Sequence, residues 1–546
     1  MRPFGPAAAF AADDIDVAPV TQAAPARGGM RFLALGILAV LLLLAGRAVQ
    51  LAFSGDPLAA SRQSSGVAAT VRADIVDRNG VLLATTVRAY ALTAQPARVW
   101  DVRETANALL RKFPELDRAT IERRMADRSR DVVYLRRSLT PGQREEVLAL
   151  GLGGIGFEAE DRRVYPQGTL AAHALGFTDV DLRALAGVEL GLDEAIRGGG
   201  AAGRPVRLSL DVRAQYALES ELAAAATRAH ASGASAMLLD ARTGETLALA
   251  SWPSFDPNQA GAAAANARRD RVGGDVHELG STIKPFTLAM ALDARVTNAG
   301  ERFDLSEPFV IDGRTIRDHE RILGSVGLRE MLAHSSNIGA ARLALRVGAD
   351  RQRAYLDRLG LLSAAPLESG RRQAPIAPRA TGRRDVAGIG FGYGLAATPA
   401  ALAGAYTVFA NGGARVTPTL RVRENGDPVE RAPVFSAATT QQILRYLRAT
   451  VTDGTGKAAD VPGLEMAGKT GTAEILGEDA AYDEARNFSS FAAVFPASAP
   501  RYVLVLALDD VGEGEAGGTV AAPAVGRIAA RIAPMLGLRV TPPAAR

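Results

Sequence analysis

The sequence predicts a membrane-anchored α+β protein, and three observations support this prediction. An apolar stretch at residues 32–53 is long enough to cross a bilayer as a helix. In the second half of the chain, strand-like runs alternate with helical periodicities, which is typical of a largely antiparallel sheet covered by helices. With 546 residues, of which 48% are hydrophobic, the chain can bury at least two cores, so we expect more than one domain.

Residues 32–53 predict a single transmembrane helix about 33 Å long, with Arg47 near its outer end, where the side chain can reach the interface. Arg27 and Arg31 precede it, which predicts a cytoplasmic amino terminus and places everything beyond about residue 54 outside. A cleaved signal peptide is the alternative, but no small-x-small cleavage site follows the apolar run. Residues 1–31, rich in Ala and Pro, predict a disordered tail.

Residues 54–205 predict a mixed α+β domain without a reactive cluster. Apolar and polar residues alternate over 71–97 around an Asn79-Gly80 turn, as in a β-hairpin. Helical periodicity follows over 105–127 and 141–150. We expect an extended, non-catalytic pedestal that acts as a spacer or docking domain.

Residues 206–546 predict a second domain built on an antiparallel sheet. Two apolar strands, 236–240 and 245–251, are joined by a tight turn and open the sheet. The other predicted strands are 470–476, 488–495 and 502–508, and the clearest helices are 212–230, 338–347 and 519–532.

Composition excludes several classes of chemistry. The chain has no cysteine, which removes disulfides, thiolate nucleophiles and cysteine zinc sites, and five scattered histidines do not predict a metal centre. A net charge of +4 is too small and too dispersed to predict nucleic-acid binding. Of 63 basic residues only four are lysine, so a retained lysine is a candidate for proton chemistry that arginine cannot perform. The four are Lys112, Lys284, Lys457 and Lys469, and we expect Lys112 to be an ordinary surface residue.

The segment Ser281-Thr282-Ile283-Lys284 lies where Gly280 ends a loop and an apolar helix begins. A serine at a helix amino terminus has backbone N–H groups beside it that can bind an oxyanion. A lysine three residues later lies about one turn away on the same face, and a buried lysine with a lowered pKa can accept the serine proton. Alone, the segment also fits a helix cap followed by a surface lysine.

Two further segments carry compatible chemistry. Ser335-Ser336-Asn337 precedes a helical run: Ser335 could relay a proton and Asn337 could bind a substrate carbonyl, although an ordinary helix cap has the same appearance. Lys469-Thr470-Gly471-Thr472 begins a strand, where a cation, hydroxyls and a glycine could bind a carboxylate and an extended peptide. A hairpin edge is the alternative.

Together these segments give S-x-x-K, S-x-N and K-T-G in the order found in penicillin-binding proteins and serine β-lactamases. The chain resembles class B penicillin-binding proteins, and the septal, division-specific branch in particular, well beyond the three motifs. The further matching segments are RADIVDRNG from Arg72, RRVYPQGTLAAHALGF from Arg162, GVELGLDEAI from Gly187, LLDARTGETLALASWPSFDPN from Leu238, GFGYGLAATPAAL from Gly390 and DGTGKAA from Asp453.

The resemblance implies an inner-membrane protein with a periplasmic pedestal (residues 54–205) and a β-lactamase-like transpeptidase domain (206–546). It implies acyl transfer from the penultimate D-Ala of a peptidoglycan stem peptide, without a metal or cofactor. The implied partners are lipid-linked glycan strands, a membrane-embedded glycan polymerase, other division proteins and β-lactam inhibitors. Ser281 would be the nucleophile, Lys284 its base, and Ser335 and Asn337 the relay and substrate contact. The implied carboxylate-binding residues are Lys469, Thr470, Gly471 and Thr472, with the N–H groups of Ser281 and Thr472 as oxyanion hole.

Two positions depart from the family pattern: Leu279 replaces a usual proline, and His277 a common aromatic residue. An elongation-type transpeptidase, a D,D-carboxypeptidase, a β-lactamase and an inactive cell-wall scaffold are the competing interpretations. The pedestal and the absence of an E-x-x-L-N segment disfavour a hydrolase, and two retained motif lysines disfavour a scaffold.

Overall fold

The computed structural model describes residues 72–370, 372–378, 382–424, 426–476, 482–512 and 516–540. Within these ranges, no helix is long and apolar enough to cross a bilayer. The predicted cytoplasmic tail and membrane span at 1–31 and 32–53 lie outside them. The boundary between pedestal and transpeptidase domain at residue 205 stays a prediction, since contacts group residues 71–546 as one unit.

The pedestal contains a mixed β-sheet. Its strands are β1 Ile75–Val76, β2 Leu82–Ala94, β3 Val133–Leu139 and β4 Ile155–Val164, and β5 Val206–Arg207, just beyond the predicted domain boundary, joins the same sheet. The long strand β2 pairs antiparallel with β1, β3 and β4, and β1 pairs parallel with β5. The pedestal helices are α1 Val102–Lys112, α2 Arg118–Ala126, α3 Pro141–Leu148, α4 Ala172–Leu175, α5 Gly187–Gly191 and α6 Asp193–Ala201.

Two predictions for the pedestal have different outcomes. The hairpin about Asn79-Gly80 is confirmed: Gly80 has φ +88°, and the Asp77 carboxylate accepts from the N–H groups of Asn79 and Val81. The continuous helical run over 105–127 is wrong, because α1 ends at Lys112 and α2 begins only at Arg118. Pro114 disfavours a helical residue before it, and the Asp117 side chain starts α2 by accepting from Thr120 N at 2.8 Å.

A buried ion network joins the elements of the pedestal. Glu189 on α5 is fully buried and binds Arg72, which precedes β1, at 2.6 Å and Arg163, on β4, at 2.6 Å. Arg72 also reaches Asp193 on α6 at 2.5 Å. Two cations around one buried carboxylate hold these separate segments in a single arrangement.

The transpeptidase domain has a five-stranded antiparallel sheet in the order β16-β17-β18-β6-β7 and several two-stranded ribbons. Its strands are β6 Gly233–Asp240, β7 Thr246–Trp252, β8 His277–Glu278, β9 Arg302–Asp304, β10 Phe309–Ile311, β11 Arg314–Ile316, β12 Ser325–Gly327, β13 Ala396–Ala397, β14 Ala414–Val416, β15 Arg431–Pro433, β16 Ala467–Leu476, β17 Tyr482–Phe495 and β18 Tyr502–Val511. Its helices are α7 Val212–Arg228, α8 Arg271–Gly274, α9 Lys284–Asp293, α10 Leu328–Ala333, α11 Asn337–Val347, α12 Ala349–Arg358, α13 Arg383–Phe391, α14 Pro399–Tyr406, α15 Ala437–Thr452 and α16 Ala522–Ile532.

The sheet is covered on both faces, which confirms the predicted α+β class. Leu238 on β6 packs in one core with α7 and α16, whereas its neighbour Leu239 packs in another with α9 and α14. This alternation follows from the two-residue period of a strand. Since both faces are buried, β6 is apolar along most of its length, as the sequence suggested.

The buried network gives a prediction for stability. Replacing Glu189 by alanine leaves Arg163 buried without a counter-charge and leaves Arg72 with only the partly exposed Asp193, so the free energy of unfolding should fall by about 3–5 kcal/mol. Chemical denaturation measures this change. The control is Glu146→Ala, which breaks an exposed pair with Lys112 and should cost about 0–1 kcal/mol. Equal losses in the two variants would contradict the role given to the network.

Candidate active site

Ser281 lies in a short 3₁₀ turn, Gly280–Ile283, that leads directly into α9. Gly280 has φ +50°, and a Cβ on it would lie 2.7 Å from the Thr472 carbonyl oxygen. Only glycine therefore lets this turn pack against β16. Pro285 occupies the first turn of α9, where no N–H is needed, as predicted.

Lys284 is the first residue of α9, and its side chain is almost completely buried. Its Nζ donates to the Ser335 carbonyl at 2.5 Å, to Ser335 Oγ at 3.0 Å and to Asn337 Oδ1 at 2.7 Å. Burial lowers the pKa of Lys284 to about 7, while the negative charge of Asp318 acts in the opposite direction. The amine is therefore held near the point at which it can act as a base at neutral pH.

Ser335 connects the lysine to the nucleophile. It lies between α10 and α11 with φ +60°, an unusual conformation for a serine, and its Oγ donates to Ser281 Oγ at 3.0 Å. The sequence predicted direct reach between Lys284 and Ser281. It also predicted Ser335 as a relay, and in the structure the Ser335 hydroxyl hydrogen-bonds to both groups and forms a continuous path for a proton.

Asn337 is the first residue of α11, and its amide is oriented by two different partners. Its Oδ1 accepts from Lys284, whereas its Nδ2 donates to the carbonyl oxygen of Arg317 at 3.0 Å. Since the Arg317 carbonyl can only accept, Nδ2 must face it, and this contact defines which way the amide points. One Nδ2 hydrogen remains for a substrate.

The Lys469-Thr472 segment lies on β16, an edge strand of the main sheet beside the 3₁₀ turn. Lys469 is completely buried, and its Nζ donates to the carbonyl and hydroxyl oxygens of Thr470, both at 3.1 Å. Burial, and then the charge of Lys284, hold the pKa of Lys469 well below its usual value. The Lys469 Nζ atom therefore lies behind the Thr470 hydroxyl. For a direct contact with a substrate carboxylate, it would have to lie at the cleft surface.

The structure adds three polar residues that the motif analysis did not place in the site. Thr455 Oγ1 lies 2.8 Å from Thr470 Oγ1, and the Thr455 N–H donates to the carbonyl of Ala333. Thr455 thereby links the third motif to the end of α10, two residues before Ser335. Ser336, the variable residue of S-x-N, is buried and donates to Asp318. Thr455 belongs to a segment that matched the family, but no local pattern marked Asp318.

The two departures from the family pattern are accommodated locally. His277 stacks on Phe488 with ring centroids 4.2 Å apart, so it serves as the aromatic residue it replaces. Leu279 is buried, and its N–H donates to the Leu395 carbonyl, a bond that proline could not make. His277 also groups with Asp275 and Asp509, but arginine side chains already bind both carboxylates.

Comparison with known proteins agrees with this geometry. Residues 234–530 match the model of the penicillin binding protein transpeptidase domain, and residues 68–198 match that of the penicillin-binding protein dimerisation domain. The chain belongs to the penicillin-binding protein transpeptidase family. It has the two-domain organisation of the class B members, and the predicted resemblance is confirmed.

Individual relatives extend the match over most of the chain. The probable peptidoglycan D,D-transpeptidase FtsI of Caulobacter vibrioides is 41% identical, covering 86% of this chain and 82% of its own length. The peptidoglycan D,D-transpeptidase FtsI of Escherichia coli K12 is 32% identical over 84% and 82%. Penicillin-binding protein 3 of Mycobacterium tuberculosis, solved in complex with aztreonam, superposes with a TM-score of 0.68 at 27% identity, covering 87% of this chain and 98% of that one.

The site gives a prediction for the pH dependence of acylation by penicillin. Only the neutral form of Lys284 can accept a proton, and with a pKa of about 7 this form is lost as pH falls. The acylation rate should therefore decrease about tenfold per pH unit below pH 7 and level off above it. Stopped-flow measurements with a chromogenic β-lactam test this, and a rate that is constant from pH 5 to 9 would contradict it.

Proposed function

We propose that this chain cross-links the stem peptides of peptidoglycan during septal cell-wall synthesis, through an acyl-enzyme on Ser281. The observation that carries the proposal is the hydrogen-bonded path from Ser281 through Ser335 to a buried Lys284. The relatives named as peptidoglycan D,D-transpeptidase FtsI support both the reaction and the division-specific branch.

In the first half of the proposed reaction, Ser281 Oγ attacks the penultimate D-Ala carbonyl of a stem pentapeptide. Its proton passes through Ser335 to Lys284, and the N–H groups of Ser281 and Thr472 stabilise the oxyanion. The peptide bond then breaks, and the same proton returns to the leaving nitrogen of the terminal D-Ala. The product is an ester between the donor stem and Ser281.

The second half uses the same groups in the reverse order. The amine of a neighbouring stem attacks the ester carbonyl, and Lys284 accepts the proton that the amine loses. Ser281 Oγ leaves as the new peptide bond forms and regains a proton along the Ser335 path. Because Lys284 returns in each half the proton that it accepted, the proposed cycle needs no metal or cofactor.

The edge of β16 is the proposed binding surface for the donor peptide. An extended peptide can add to this edge through main-chain hydrogen bonds. Gly471 lets the strand pack inside the domain, because a Cβ there would clash with Ser490 Oγ and lie 2.8 Å from Thr282 Cγ2. The hydroxyls of Thr470 and Thr472 would bind the terminal carboxylate. Lys469 would support that binding from behind Thr470 through its charge, when protonated, and its two hydrogen bonds.

We also propose that residues 32–53 anchor the chain in the inner membrane, with the amino terminus in the cytoplasm and both domains in the periplasm. A membrane-embedded glycan polymerase and other division proteins would contact the anchor and the pedestal. The charge distribution around the span and the family membership support this arrangement.

The nucleophile assignment predicts the outcome of labelling with a fluorescent penicillin. Ser281→Ala should abolish covalent labelling, because no other group in the cleft would carry the acyl chain, and peptide mapping of the wild-type protein should find the adduct on Ser281. The control Ser254→Ala removes an exposed hydroxyl and should leave labelling unchanged. An adduct on a different serine would overturn the assignment.

The proposed anchor predicts a separation of catalysis from localisation. Replacing residues 32–53 by an unrelated apolar helix should leave penicillin labelling intact, since the cleft is untouched, but should impair septal localisation measured with a fluorescent fusion. Normal division with the exchanged helix would contradict a specific role for the span.

A further inference from the structure

Asp318 contacts the second motif directly, although no pattern in the sequence marked this residue. Asp318 follows β11, which pairs with β10 to form a hairpin. The buried side chain of Ile316 on β11 packs in the main core and attaches this hairpin to it. Asp318 Oδ1 accepts from the N–H groups of Asn337 at 2.6 Å and Ile338 at 3.0 Å, and its Oδ2 accepts from Ser336 Oγ at 2.7 Å. One carboxylate therefore satisfies two free N–H groups at the start of α11 and a buried hydroxyl.

The neighbouring Arg317 completes this set of contacts. Its carbonyl accepts from Asn337 Nδ2, which leaves Asn337 Oδ1 turned toward Lys284. Ser336, while donating to Asp318, accepts from Gly339 N at 3.0 Å and so caps α11. Hydrogen bonds therefore hold the segment 336–338 through its backbone N–H groups and through the side chains of Ser336 and Asn337.

We propose that Asp318 is a positioning residue for acyl transfer: its carboxylate clamps residues 336–338 and thereby fixes the contacts of Ser335 and Asn337 with Lys284 and Ser281. The reasoning rests on the proposed function. Ser335 has φ +60° and immediately precedes the clamped segment, so an unfavourable conformation is held by its neighbours. The Ser335 hydroxyl is then available to both Ser281 and Lys284.

The carboxylate also acts on the lysine through its charge. Among the described residues, Asp318, from the loop after β11, is the charged group that acts on the Lys284 pKa, and Lys284 in turn lowers the pKa of Lys469 on β16. The remaining neighbours, Ser281, Ser335 and Asn337, are neutral. The negative charge raises the pKa of Lys284 against the larger effect of burial, so removing it should lower that pKa.

Three variants separate position from charge. Asp318→Asn removes the charge and keeps one oxygen acceptor, and Asp318→Glu keeps the charge but displaces it. Asp117→Asn changes an exposed carboxylate that caps α2 in the pedestal and serves as matched control. The measurements on the full-length protein are the acylation rate with a chromogenic β-lactam across pH, and the midpoint of thermal unfolding.

Asp318→Asn should reduce the maximal acylation rate about 10- to 100-fold, since misplaced catalytic groups cost this much. The decline of its rate at acid pH should begin at lower pH than in the wild type. Asp318→Glu should also be slower but should decline at the wild-type pH, and Asp117→Asn should match the wild type in both respects.

Wild-type acylation by Asp318→Asn would overturn the proposal. So would a slower variant whose pH profile does not move, or whose loss of rate accompanies unfolding at the assay temperature, because either result would reduce Asp318 to a structural residue. Failure of the proposed function is a separate result, since the wild-type protein would then not be acylated at Ser281 at all.

Discussion

Removing the Lys284 amine from water is the constraint to which the rest of the site is adapted. On burial, a charged ammonium loses its strong hydration, whereas a neutral amine loses much less hydration free energy. Burial therefore favours the neutral amine, which is the form that acts as a base. The three acceptors around Nζ keep the group hydrogen-bonded in either state and place it next to the Ser335 hydroxyl. The charge of Lys284, when it is protonated, also lowers the pKa of a second buried lysine, Lys469, so two simultaneous ammonium ions are unfavourable.

The fold supplies this environment by bringing together segments that are distant in the chain. The 3₁₀ turn of Ser281 packs against β16 through Gly280, and Ser335, in the loop before α11, accepts a hydrogen bond from Lys284. Thr455 joins that loop to Thr470, and Asp318 holds it from the other side. The nucleophile, the relay and the binding edge therefore belong to one hydrogen-bonded unit, and a displacement of any segment affects the others.

The sequence predicted the parts of this unit that have local signatures. Apolar strand-like runs located the strands of the main sheet, and the rarity of lysine singled out Lys284 and Lys469, both of which are buried. It missed the contacts made across long separations: Asp318 lies 17 residues before Ser335, and Arg72 lies 117 residues before Glu189. It also did not reveal that Lys469 lies behind Thr470, because burial depends on the neighbouring strand and helices and not on the motif itself.

The lysine content of the chain allows a direct measurement of the central claim, that Lys284 is a neutral base near pH 7. With four lysines, a protein labelled with ¹³C at lysine Cε gives four signals, which single Lys→Arg variants can assign. The account predicts that the Lys284 signal titrates with a pKa of about 7. A Lys284 signal that shows no titration between pH 6 and 8 would contradict the account.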